Sequence, residues 1–314
     1  MYICLSKHTP TMNRFEINIL GCGSATPSPR HNPSAQIVNF RDNLFMIDCG
    51  EGAQKMIRRM GLNFQRINHI FISHMHGDHC LGLPGLLSTL SLHERTGRVT
   101  IHLPEEGVDI MKRIMAFFCR ESTFEIVFEP VGGDGGRVFE SDSLTIDAFP
   151  LYHRVPCYGY IFREKPGLRH LKGDMARFHE VPVSKIAAIK AGEDFIKPTG
   201  EVIPNAMLTT DPDPARSYAY CSDTVMDKRV AEAVRGVELL YHEATYDSSL
   251  GDKARERGHS TAADAAEIAR MAGAKALLIG HYSKRYSSVE LLLREAREVF
   301  ENTSAADEGM KIVL

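Results

Sequence analysis

Apolar and polar positions alternate from Phe15 through Leu20 and run into Gly21-Cys22-Gly23-Ser24, which predicts a strand closed by a turn. Residues 35–40 and 44–47 read as two further strands joined through Arg41-Asp42-Asn43 as a hairpin. The period then changes. Residues 53–60 have helical spacing and stop at Gly61, and 67–73 form an apolar strand carrying Ile70, Phe71 and Ile72, with 83–94 helical again. Stretches 99–103, 124–128, 144–149 and 158–162 read as strands, with a helix over 107–118. A second run alternates strands at 218–221, 239–242 and 276–279 with helices at 227–234, 261–272 and 289–300. Thr261-Ala262-Ala263-Asp264 has the form of a capping box at the start of one of them.

Strand-rich halves with helices between them predict sheets sandwiched by helices, an α/β architecture. Residues 164–215 break the pattern. They hold Pro166, Gly167, Pro182, Pro198, Gly200, Pro204, Pro212 and Pro214 and keep no sustained period, so they read as an inserted arm rather than a second domain. Residues 1–13 lack the apolar core of a signal peptide and read as a short, poorly ordered extension before a domain over 14–314.

Composition narrows the class. With 43% hydrophobic and 25% charged residues and no low-complexity stretch, the 314-residue chain is that of a soluble globular protein. No apolar run approaches the roughly 18–20 residues that cross a bilayer, so no membrane partner and a cytoplasmic location are expected. Seven scattered cysteines with no Cys-x-x-Cys pair exclude a disulfide framework and a cysteine-rich zinc finger, leaving small buried thiols. A net charge of −3 does not advertise nucleic-acid binding, so any such contact must come from a local basic patch.

The chemistry sits in Ser73-His74-Met75-His76-Gly77-Asp78-His79, directly after an apolar strand. A loop leaving a strand end can turn several imidazoles and a carboxylate toward one point, with Gly77 permitting the tight path. Imidazole nitrogen with carboxylate oxygen suits zinc, with manganese or iron the lesser alternatives. Four ligands so close together cannot complete two sites. His153, Asp223 and His281 each follow a predicted strand, and the repetition of that position is what one shared site at a sheet edge requires.

These stretches resemble the ribonuclease Z family of the metallo-β-lactamase superfamily. The resemblance runs from Phe15 onward through Gly21-Cys22-Gly23-Ser24-Ala25-Thr26-Pro27, Ile47-Asp48-Cys49-Gly50-Glu51-Gly52, the histidine run and His153-Arg154-Val155-Pro156. It continues in Cys221-Ser222-Asp223-Thr224, His242-Glu243-Ala244-Thr245, Gly258-His259-Ser260-Thr261 and His281-Tyr282-Ser283-Lys284-Arg285-Tyr286. The fold it implies is an αββα sandwich, two mixed sheets flanked by helices. It implies two Zn2+ per subunit, one held by His74, His76 and His153, the other by Asp78, His79 and His281, with Asp223 bridging. Asp48 would orient the ligand loop.

The activity implied is removal of the 3′ trailer of precursor tRNA, leaving a 3′-hydroxyl on the tRNA and a 5′-phosphate on the trailer. Asp78 would accept a proton from the attacking water, His259 would protonate the leaving oxygen, and Glu243 would hold the tautomer of His259. Ser283 and Arg285 follow a ligand directly and are candidate substrate contacts, Arg285 as a phosphate clamp or as one half of a structural salt bridge.

Family members grip RNA with an arm and are usually homodimers. Here residues 163–190 hold seven basic residues against three acidic ones, with Lys172, Lys185 and Lys190 the chosen RNA contacts. The Gly-Pro-rich tip common in the family's arms is absent, and the later arm is acidic, with Glu193, Asp194, Glu201, Asp211 and Asp213. The rival readings are a hydrolase of small phosphodiesters or other esters on the same fold, and a metal-dependent RNA-binding protein without turnover.

Overall fold

In the computed structural model, which describes residues 14–314 and the backbone strand Tyr2–Cys4, the alternating segments pair into two mixed sheets. Phe15–Gly21, Ala35–Phe40 and Asn43–Cys49 form an antiparallel meander. Its hairpin turn puts Arg41 and Asp42 at φ +50° and +64°, the pair of left-handed residues that a type I′ loop demands. Ile67–Phe71, Val99–Pro104 and Ile126–Val131 then extend the sheet in parallel. On its other side Lys311–Val313 pairs antiparallel with Phe15–Gly21 and parallel with Tyr2–Cys4. The reading of residues 1–13 as an extension otherwise falls outside the described residues.

The second sheet has seven strands in the order Thr303–Ala305, Ala276–Gly280, Leu239–Glu243, Ser217–Cys221, Cys157–Glu164, Leu144–Leu151, Gly136–Glu140. Its first four run parallel. Aromatic rings fill the space between the sheets: Phe45 and Phe71 from one meet Phe162 and Tyr160 from the other at centroid distances of 6.0 and 5.2 Å. Outside the first sheet, Leu83, Leu86, Leu87 and Leu90 of helix Leu83–Leu92 and Met111 and Met115 of helix Glu105–Phe118 close on Ile70, Ile72, Ile101 and Leu103. Helix Ala262–Ala272 packs on the second sheet through a buried Ala265, Ile268 and Ala269 face, and Thr261 and Asp264 form the expected capping box. The architecture is the αββα sandwich.

One expectation needed correction. The strand expected at 124–128 is Ile126–Val131, which runs through Pro130; as the last strand of its sheet it can carry a residue with no N–H. The segment read as an inserted arm carries regular elements of its own. Glu140–Thr145 with Arg163–Ala215 forms a second compact unit, with helices Gly173–Phe178, Val183–Lys190 and Asn205–Leu208 and two small two-stranded sheets. Ile189, Phe195, Ile203 and Leu208 supply its own buried centre. The six described cysteines are free thiols, all but Cys119 buried.

Candidate metal centre

Strands of both sheets end at one edge, and the functional side chains lie at or just beyond their C-terminal ends. Asn43–Cys49 delivers Asp48, Ile67–Phe71 the histidine run and Leu144–Leu151 His153; Ser217–Cys221 delivers Asp223, Leu239–Glu243 delivers Glu243 and Ala276–Gly280 delivers His281. The geometry forms two clusters of donor atoms. In the first, His76 Nδ1 lies 2.9 Å from His74 Nε2 and 3.3 Å from His153 Nε2, and Asp223 Oδ2 is 3.6 and 3.8 Å from those two Nε2 atoms. In the second, His79 Nε2 lies 3.3 Å from His281 Nε2 and 3.5 Å from Asp78 Oδ2. Asp223 Oδ1 is 3.5 and 3.1 Å from the same two imidazoles. Asp223 thus offers one oxygen to each cluster. Tetrahedral bonds of about 2.0–2.1 Å put neighbouring ligand atoms about 3.3–3.4 Å apart, so both clusters have the dimensions of a zinc site.

Hydrogen bonds behind the rings turn the imidazoles toward the clusters. His153 Nδ1 donates to Gly258 O at 2.7 Å, His79 Nδ1 to Asp48 Oδ2 at 2.7 Å and His281 Nδ1 to Thr245 Oγ1 at 2.9 Å, so each Nε2 faces the cluster as a bare acceptor. The Thr245 hydroxyl gives its own proton to Glu243 Oε2 at 2.6 Å. Asp223 Oδ1 is buried with no hydrogen-bond partner among the described residues. Acceptors facing acceptors, with an orphaned buried carboxylate oxygen among them, fit metal cations. Burial pushes the Asp223 carboxyl up, but His281, His79 and His74 outweigh it and hold the group well below the usual carboxylate range. Burial, with the neighbouring His79 adding to it, drives His74 well below the ordinary imidazole value, which keeps it neutral as a ligand must be.

Asp48 anchors the ligand loop from beneath. Fully buried and at φ +52°, it accepts from Ser73 N, Ser73 Oγ, His79 Nδ1 and Tyr220 OH, all at 2.7–2.9 Å. His259 stands outside these two clusters, although with Asp223 and His281 it forms a further group of donors close enough to hold an ion. Its Nδ1 lies 2.9 Å from Oε1 of the buried Glu243, and its ring lines a cleft of about 370 Å³ over the clusters. Burial pulls the His259 imidazole down, but the Glu243 and Asp223 carboxylates outweigh it and raise it to about 9.

Sequence reasoning missed Thr245, whose hydroxyl links Glu243 to His281, and Ala25, whose N–H donates to Asp78 Oδ2 at 2.6 Å. It also gave no role to Arg154, which lines the cleft. Ser283 and Arg285 are not among the residues lining that cleft. Ser283 borders a neighbouring one with Arg30 and Lys284, while the Arg285 guanidinium lies 5.0 Å from the centre of the Tyr246 ring. In the second unit Lys172 Nζ donates to Ala206 O, and Arg169 pairs with Asp211 at 2.6 Å. Lys185 and Lys190, both on helix Val183–Lys190, make no side-chain hydrogen bond or ion pair among the described residues.

A donor set of this kind at the strand ends of an αββα sandwich makes the protein a metal-dependent hydrolase of the metallo-β-lactamase fold. Ribonuclease Z of Bacteroides fragilis is 48% identical to it over 304 residues, spanning 96% of this chain and 100% of that protein, and the Porphyromonas gingivalis enzyme is 48% identical over 306. The chain belongs to the ribonuclease Z family. Among solved structures, the short form of human tRNase Z aligns over 95% of this chain and 98% of its own, at a TM-score of 0.70 and 27% identity. The metallo-β-lactamase fold protein YhfI of Bacillus subtilis, with 16% identity, covers 96% of this chain and 100% of its own at a TM-score of 0.68 and shares the fold. Residues 15–180 also match the family model described as Anti-Pycsar protein Apyc1, a match that stops short of Asp223, His259 and His281.

Proposed function

We propose that the protein is a two-zinc endoribonuclease that removes the 3′ trailer from precursor tRNA, leaving a 3′-hydroxyl on the tRNA and a 5′-phosphate on the trailer. The observation that carries this reading is the pair of clusters sharing Asp223, with His259 beside them on Glu243, in a chain nearly half identical to ribonuclease Z. His74, His76 and His153 would hold one ion and Asp78, His79 and His281 the other. Bound metal would act as a Lewis acid on the phosphodiester and make water a nucleophile at neutral pH. Zinc suits the donors, and manganese would serve in its place.

The chain's own groups do the rest. Asp78, on the cleft wall, takes the proton of the water that attacks phosphorus. As the bond from phosphorus to the 3′-oxygen breaks, His259 delivers a proton to that oxygen. Glu243 keeps the His259 proton on Nδ1 when the ring is neutral and stabilises the imidazolium before transfer. Asp223, Asp48 and Thr245 fix the geometry.

Substrate grip is assigned to two places. Ser283 and Arg285 would meet the RNA beside the cleft, and Lys185 and Lys190, with Lys172, would meet phosphates from the second unit. Exposed Phe178 in that unit offers a stacking surface for a base. A homodimer is part of the proposal: helix Glu105–Phe118 leaves Ile110, Phe117 and Phe118 exposed on one stripe, a face suited to a second copy. Access to precursor tRNA calls for a cytoplasmic enzyme. No described helix is long and apolar enough to cross a membrane.

The test is cleavage of an end-labelled precursor tRNA with added zinc or manganese, beside a His74→Ala control. A metal-dependent cut at the 3′ side, lost in the variant, is expected. Turnover of a small phosphodiester with no cut of the RNA would move the protein to the rival small-ester reading.

A further inference from the structure

Arg154 is the one lysine or arginine among the described residues lining the cleft over the clusters. It is exposed, and among the described residues its guanidinium makes no hydrogen bond or ion pair. Every other ionisable group in that lining is a carboxylate or an imidazole: Glu51, Asp78 and Asp223, with His76, His153 and His259. A phosphodiester entering the cleft brings a negative charge toward Glu51, and among the described residues of the wall Arg154 is the only side chain with a permanent positive charge to offset it.

The base of this side chain is fixed while its tip is free. The preceding residue, His153, is tied through Nδ1 to Gly258 O at 2.7 Å. Gly258 stands at φ +75°, and a Cβ there would come within 2.7 Å of His153 Nδ1 and 3.3 Å of Arg154 Cγ. The bare glycine lets the Arg154 stem lie against the turn that carries His259. A planar fork with five N–H donors is thus carried on the same cleft wall as the group assigned to the leaving oxygen.

We propose that Arg154 binds a non-bridging oxygen of the phosphodiester being cleaved and holds it against the metal clusters, with His259 at the leaving oxygen. This rests on the phosphodiester part of the function proposed above and is independent of the RNA part.

The experiment uses the metal-loaded full chain as wild type, Arg154→Ala and Arg154→Lys, with metal content measured for each. Bis(p-nitrophenyl) phosphate has a single phosphate, so an effect on it cannot come from a neighbouring nucleotide. Arg154→Ala is expected to lose roughly 10–100-fold in kcat/KM on that ester and on precursor tRNA, the range of a charge-assisted hydrogen bond, with metal content unchanged. Arg154→Lys keeps the charge without the fork and should recover only part. Millimolar guanidinium should restore turnover to Arg154→Ala and not to His259→Ala, a rescue that a merely structural role would not show. Binding of adenosine 5′-monophosphate, followed by titration calorimetry, should weaken about tenfold in Arg154→Ala. Ester turnover and nucleotide binding within twofold of wild type in Arg154→Ala would overturn the assignment. A wild type that cleaves the ester but never the precursor would overturn the RNA reading and leave Arg154 to be judged by the ester and the nucleotide alone.

Discussion

His259 Nδ1 and Glu243 Oε1 are 2.9 Å apart, and the carboxylate behind that contact is fully buried. Glu243 also accepts from Thr224 N at 2.9 Å and Thr245 Oγ1 at 2.6 Å, so it is held ionised and in place rather than left to find a partner. An imidazole anchored in this way can present only Nε2 to a substrate. His259→Ala should therefore lower kcat by roughly 10²–10⁴-fold with metal content unchanged, since His259 lies outside the His74, His76, His153, Asp223 group and the Asp78, His79, His281 group. Single-turnover kinetics with parallel metal analysis would check this, and near-normal turnover would remove His259 from the chemistry.

Asp48 carries a different expectation. Its four donors include the Nδ1–H of His79, so Asp48→Asn sets an amide against that ring and weakens the hold on one ligand. Metal affinity should fall about 10–100-fold, measured by competition with a chelator, and activity should return when metal is added in excess. Unchanged affinity would reduce Asp48 to a packing residue.

A second ion pair predicts a pH effect on stability. His31 Nδ1 lies 2.9 Å from Glu308 Oε2. The hydrogen bond to Glu308 raises the His31 imidazole above 6.5 against the pull of burial. Burial pushes the Glu308 carboxyl up, but the contact with His31 outweighs it and leaves the group below 4.5. The His31 contribution is complete below about pH 6.5 and is lost as pH rises through its raised value. The Glu308 contribution is complete above about pH 4.5 and is lost as pH falls through its lowered value. The Tm gap between wild type and Glu308→Gln should therefore be widest near pH 5–6 and shrink toward pH 8. A gap that is flat across this range would show that the pair does not titrate as a unit.

In the second unit, Lys185 and Lys190 are the lysines with uncommitted ammonium groups. Replacing both with alanine should raise KM for precursor tRNA and make log KM less steep in log salt by about 1.5, while small phosphodiesters are turned over as before. An equal loss on both substrates would argue against RNA binding there.

The ligand set was legible because its logic is local: a strand ends, and a histidine or aspartate follows. That holds for the run at His74, and again at His153, Asp223 and His281. Arg154 was not legible in the same way, because its meaning lies in what fails to pair with it and in a glycine more than a hundred residues away. The strand through Pro130 was cut short because proline is forbidden inside a sheet but allowed at its edge, and edge position is a property of the assembled sheet. The second unit was marked off as an insertion, but its inner elements escaped because Ile189, Phe195, Ile203 and Leu208 meet from short elements with no common period. The Glu308 contact to His31 spans nearly the whole chain, and no local pattern announces it.

His79 and His281 stand Nε2 to Nε2 although 202 residues separate them along the chain. A cation between them would rivet the opening third of the polypeptide to its closing tenth, as a covalent cross-link would, and the unfolded chain has no such pocket waiting for it. Ion affinity and folding free energy then become one quantity. Stripping the metal should therefore do more than silence the enzyme: it should unfasten the seam where the two sheets meet and open that edge to proteases.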